Sequence, residues 1–88
     1  MTTITITYRN FSEKPIYLQI DPWAGIYLLK KDESIEIVAM SETTSPSFDF
    51  NESKEDFRSL TIGYSDEYYV VVDGQRVHCS QYMSNLPD

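Results

Sequence analysis

The sequence predicts an all-β protein: a small antiparallel β-sandwich or partly open barrel of seven to eight short strands. Apolar and polar residues alternate with period two in at least six segments, the pattern of a strand with one face buried. Turn-forming residues interrupt the chain at short, regular intervals. No segment repeats its apolar residues with the period of 3.6 that a helix packed on a core requires.

Each element follows from its residues. In residues 2–8, Ile4, Ile6 and Tyr8 share one face, with Thr3, Thr5 and Thr7 on the other. Residues 10–14 read as a turn. Residues 15–20 direct Ile16, Leu18 and Ile20 one way and Tyr17 and Gln19 the other. Asp21, Pro22, Trp23, Ala24 and Gly25 then make a corner, because Pro cannot donate to a ladder and Gly tolerates positive φ. Residues 26–29 form a short strand and residues 30–33 a polar turn. Residues 34–40 form another strand with Ile35, Ile37 and Ala39 inward. These first four strands are expected to run as a meander.

Residues 41–47 have the Ser, Thr, Glu and Pro composition of an exposed loop. Phe48 and Phe50 alternate with polar neighbours in a short strand, which gives way to an acidic loop over residues 51–56. Ser53 is placed to cap one helical turn ending at Asp56. Residues 58–64 carry Leu60, Ile62 and Tyr64 on one face, and Ser65, Asp66 and Glu67 turn the chain. The sharpest local signal is Asp73-Gly74 between alternating apolar runs, the composition of a two-residue type I′ hairpin turn. That turn sets Val72 opposite Gln75, Val70 opposite Val77 and Tyr68 opposite Cys79, facing the core. Val71 with Arg76 and Tyr69 with His78 take the other face.

The 88 residues are read as one β domain, 1–88, with 81–88 a flexible tail. A chain of this size hides roughly 60–65% of its unfolded surface and leaves a stability of only a few kcal/mol. Seven Lys and Arg against fourteen Asp and Glu give a net charge of −7. Nucleic acid is therefore not expected as a partner, since phosphate binding relies on basic side chains, and neither is an anionic membrane surface. The chain begins with alternating Ile and Thr rather than a basic leader and an apolar run, and its single cysteine excludes an internal disulfide, so a cytoplasmic location is expected. The sequons at Asn10 and Asn51 are read as accidental.

The chemistry-bearing residues offer little for catalysis. His78 and Cys79 are adjacent on a strand and point to opposite faces, so they make neither a dyad nor a metal site. Asp49, Asn51 and Glu52 have the spacing of oxygen ligands but lack the loop glycine and closing glutamate of a calcium loop. Gly25, Gly63 and Gly74 form no phosphate-cradling pattern. The reading is of a protein that is not an enzyme and uses no cofactor or metal.

Charge is the more informative signal. Residues 1–31 sum to +2 and residues 32–88 to −9. The acids Glu52, Glu55, Asp56, Asp66 and Glu67 are accordingly expected to form the surface for a protein partner of basic character, as in an inhibitor, immunity or accessory protein. Two alternatives come from other features. The aromatic region around Trp23 and Tyr27 would suit a small-ligand pocket, and the strand edges of an open sandwich would allow a homodimer.

One stretch resembles small uncharacterised bacterial β proteins: the acidic-Pro-Trp corner at Asp21, Pro22 and Trp23, then Tyr27 and Leu29, then Glu33 in the following turn. Lys31-Asp32 stands where that pattern has Pro-Gly. The resemblance implies a bacterial β-sandwich and assigns no activity.

Overall fold

A computed structural model describes residues 1–77, together with the backbone but not the side chains of Glu52 and Ser53. The expectations for His78, Cys79 and the tail 81–88 lie outside the described residues. The described residues form eight strands: β1 (Thr2–Arg9), β2 (Ile16–Asp21), β3 (Gly25–Leu29), β4 (Ser34–Ser41), β5 (Ser47–Lys54), β6 (Phe57–Gly63), β7 (Glu67–Val72) and β8 (Gln75–Val77). They build two four-stranded sheets, ordered β1-β4-β7-β8 and β3-β2-β6-β5. The all-β expectation holds, and the architecture is a sandwich. Among the described residues no helix is long and apolar enough to cross a membrane.

Period-two alternation fills the space between the sheets. Ile16, Leu18 and Ile20 of β2 and Ile35, Ile37 and Ala39 of β4 belong to one buried cluster, which Tyr27, Leu29, Leu60, Ile62 and Val70 complete. Ile6, Tyr8, Phe48, Tyr68, Val72 and Val77 pack around it. The β7–β8 hairpin has the expected register, Val70 opposite Val77, Val71 opposite Arg76 and Val72 opposite Gln75. Its turn residues Asp73 and Gly74 both adopt positive φ, 52° and 77°. On the outer face the Arg76 guanidinium lies 4.2 Å from the centre of the Tyr69 ring.

The meander expectation is overturned. β1 pairs with β4, and β2 with β3, so the first four strands divide between the sheets. The β2–β3 hairpin is inserted between β1 and β4, and local alternation carries no information about which sheet a strand joins. The second sheet is also mixed, because β2 and β6 run parallel, with Leu18 opposite Arg58 and Ile20 opposite Leu60.

Two local readings are corrected as well. β5 continues through Lys54, and Glu55 and Asp56 alone turn the chain into β6, with Lys54 opposite Phe57. No helical turn forms at Ser53, and Asn51 stands on a strand rather than in a loop. Pairing with β6 supplies the strand order that this polar segment's own pattern does not announce. Tyr64 does not continue the face of Leu60 and Ile62. β6 stops at Gly63, and Tyr64 takes φ 58° with its ring exposed.

The switch between sheets is built on Asn10, which is 2% exposed. Its backbone N–H donates to the Glu33 carbonyl at 2.9 Å, and its carbonyl accepts from the Asp32 N–H at 2.8 Å. Its side-chain Nδ2 donates to the carbonyls of Lys14 and Leu29 at 2.9 and 3.0 Å. Its Oδ1 accepts from the Ser12 N–H and hydroxyl at 2.9 and 2.6 Å. This committed amide is the one in the Asn10 sequon.

Replacing Asn10 should therefore be costly. Asn10→Ala removes two donated hydrogen bonds, the one to the Leu29 carbonyl being buried, and the acceptor that holds Ser12, for an expected loss of about 3 kcal/mol. Asn10→Asp, which cannot donate, should be at least as damaging at neutral pH. Urea unfolding followed by circular dichroism measures both. A midpoint unchanged in either variant would refute the role assigned to this amide.

Candidate functional site: a segregated acidic end

Strand direction sorts the connections into two groups. Residues 10–15, 30–33, 55–56 and 73–74 lie at one end of the sandwich, and residues 22–24, 42–46 and 64–66 at the other. All seven Lys and Arg, namely Arg9, Lys14, Lys30, Lys31, Lys54, Arg58 and Arg76, fall in or near the first group. Three of them pair with acids there: Arg9 with Asp32 at 3.6 Å, Lys14 with Glu55 at 3.1 Å and Lys31 with Glu13 at 2.8 Å. These pairs are half or more exposed, so each adds under about 1 kcal/mol. Their main effect is to neutralise that end.

The opposite end has the acids Asp21, Glu42, Asp49, Asp66 and Glu67 and, among the described residues, no Lys or Arg. The +2 and −9 division along the sequence thus becomes, in space, a nearly balanced end and a strongly acidic one.

The expected partner surface is divided accordingly. Glu55 and Asp56 sit in the β5–β6 turn at the balanced end, where Lys14 meets Glu55 and the Asp56 carbonyl accepts from the Tyr17 N–H at 2.8 Å. Glu52 belongs to the adjoining part of β5, and its side chain is outside the described structure. Asp66 and Glu67 stand at the far end of β6, whose seven residues at about 3.3 Å each place them roughly 20 Å away. Sequence proximity grouped these five acids, but an intervening strand separates them. Glu42, Asp21 and Asp49, which the sequence did not assign to the partner surface, join Asp66 and Glu67 instead.

The acidic end is held by a compact network. Ser41, almost fully buried, accepts from the Thr43 and Thr44 N–H groups at 3.3 and 3.0 Å. Thr44 Oγ1 donates to the Tyr64 carbonyl at 2.7 Å, which leaves the Ser41 hydroxyl to donate to Thr44 Oγ1 at 2.8 Å. Asp66 Oδ2 accepts from the Glu42 N–H, and the Asp66 N–H donates to the Met40 carbonyl, both at 2.8 Å. Ser65 Oγ lies 3.0 and 2.7 Å from the carbonyls of Met40 and Glu67, either of which can accept its single proton. The loops bearing Glu42 and Asp66 are therefore fixed to each other before any partner arrives. Between them lies a shallow cleft of about 160 Å³, lined by Met1, Met40, Ser41, Glu42, Asp66 and Glu67.

The aromatic candidates take different positions. Tyr27 is 2% exposed, with its hydroxyl 3.2 Å from that of Tyr68. Trp23 is 39% exposed and lies tilted over Tyr68 with ring centres 4.6 Å apart. Of the two, only Trp23 offers substantial ring area to solvent. Asp49 and Asn51 lie along β5, and Asn51 donates to Thr61 Oγ1. Among the described residues, no three His, Cys, Asp or Glu side chains are gathered as a metal site would need.

No family model matches the chain, and comparisons with curated proteins and with solved structures return no match.

Trp23 closes one side of the sandwich from outside the core. Trp23→Ala should cost roughly 1–3 kcal/mol, less than the roughly 3–5 kcal/mol of a fully enclosed aromatic. The variant is expected to remain folded, with a lowered urea midpoint. Complete unfolding would show Trp23 to be a core residue in energetic terms.

Proposed function

We propose that this chain is a non-enzymatic interaction domain that presents its acidic end to a basic protein surface. The observation that supports this reading most directly is the segregation of charge: five acids at one end face no Lys or Arg, while the acids at the other end are interleaved with bases. Such an arrangement steers a basic partner towards one end, because uncompensated charge raises the encounter rate. The network of Ser41, Thr44, Ser65 and Asp66 supports it further by fixing the loops that bear the acids, which lowers the ordering cost of binding. The cleft at this end is smaller than the roughly 300 Å³ and above typical of small-molecule sites, which favours a protein surface over a pocketed ligand. A basic partner also agrees with the composition, which lacks the cationic surface needed for nucleic acid.

The test is association with a Lys- and Arg-rich peptide, measured against ionic strength. Glu42→Gln, Asp49→Asn and Glu67→Gln together remove three charges from the acidic end and spare Asp66, whose carboxylate holds a loop. The triple variant should bind several-fold more slowly with a flatter salt dependence, as expected when screening falls from roughly 10 Å at 0.1 M salt towards 3 Å at 1 M. Glu55→Gln with Asp56→Asn, at the opposite end, should change the rate little. Equal rates and salt slopes for the wild type and the triple variant would overturn the proposal.

A further inference from the structure

Among the described residues four strands form the edges of the two sheets, and they differ sharply. β5 has a register shift between Phe50 and Glu52, β3 has five residues, and β8 has three in the described structure, with the chain continuing beyond it. Irregular or short edges resist pairing with another strand. β1 has neither protection. Its eight residues pair with β4 in unbroken register from Thr2 to Arg9, without Pro, Lys or a bulge. Its only charge, Arg9, lies at one end and meets Asp32. Half of its backbone N–H and C=O groups therefore point away from β4 along a neutral edge.

We infer that β1 pairs antiparallel with β1 of a second copy of this chain, about a two-fold axis at Thr5, to form a continuous eight-stranded sheet. Three features select a second copy as the occupant. The first is the segment Thr3, Ile4, Thr5, Ile6, Thr7, which reads the same in both directions. Antiparallel pairing about Thr5 places Thr3 opposite Thr7, Ile4 opposite Ile6 and Thr5 opposite itself, so every residue meets its own kind. Thr and Ile are both favourable in such cross-strand pairs. The second is that the pairing is isologous and closes with two copies, so it leaves no growing end.

The third is electrostatic. β1 runs from the acidic end at Thr2 to the nearly balanced end at Arg9, where all seven Lys and Arg lie, and antiparallel pairing sets the acidic end of one copy beside these bases of the other. A parallel arrangement would oppose like ends. Apolar surface is available along the same side of the sandwich, where Phe50, 54% exposed, packs on Tyr8 with ring centres 5.4 Å apart.

Sedimentation equilibrium of the full chain should give twice the chain mass. Thr5→Lys sets two ammonium groups opposite each other at the axis and should return the mass to that of one chain, with the strand signal in circular dichroism retained. Thr5→Cys in a Cys79→Ser background should form an interchain disulfide on mild oxidation, whereas Thr3→Cys in the same background should not. The crosslink decides the matter even if Thr5→Lys does not fold. A wild-type chain that stays monomeric, a dimer that survives Thr5→Lys, or Thr3→Cys crosslinking as readily as Thr5→Cys would overturn the inference. None of these readings requires a basic partner, so the outcome is independent of the function of the acidic end.

Discussion

The structure depends first on the buried amide of Asn10. At this residue the chain leaves one sheet for the other, and the amide ties β1, the following turn, the end of β3 and the β3–β4 connection together. A sandwich of this size has no core to spare for unpaired polar groups, so a polar side chain is tolerated here because its donors and acceptor are all used. Once β2 has been sent to the second sheet, it takes β3 with it, and Tyr27 of β3 reaches Tyr68 of β7 in the facing sheet. Among the described residues β1 is then left to pair with β4 alone. The exposed side of β1 is thus a consequence of the same crossover that builds the core.

Both open sides of the sandwich are covered by aromatic contacts. On one side Trp23 and Tyr27 meet Tyr68, and on the other Tyr8 meets Phe50. Rings span the gap between sheets where a single strand edge exposes backbone, and they do so with large apolar area at little entropic cost. The aromatic content that suggests a ligand platform in the sequence is in good part used to close these sides.

The ends are distinguished by their connections rather than by the sheets. Because successive connections alternate between ends, acids and bases distant in sequence are collected together. Lys14 thereby reaches Glu55, 41 residues away, and Glu42 comes beside Asp66, 24 residues away. One end becomes nearly neutral through such pairs. The other keeps its charge, and its loops are fixed by hydroxyl groups in place of ion pairs.

The sequence by itself determined the all-β class, the inward faces of β2 and β4 and the Asp73-Gly74 hairpin, because each is a local property: alternation fixes which side chains are buried, and positive φ fixes the turn. It did not show that β2 runs parallel to β6, that β1 belongs with β4, or that the polar segment through Lys54 is a strand, since those follow from pairing partners remote in the chain. The acids were legible as a class but not as a site. Glu55 and Asp56 are close to Asp66 and Glu67 along the chain, yet β6 carries the two groups to opposite ends, and only the tertiary structure could join Glu42 to Asp66. Local periodicity is encoded residue by residue, whereas the grouping of charge depends on strand direction, which is settled by the burial of two sheets against each other.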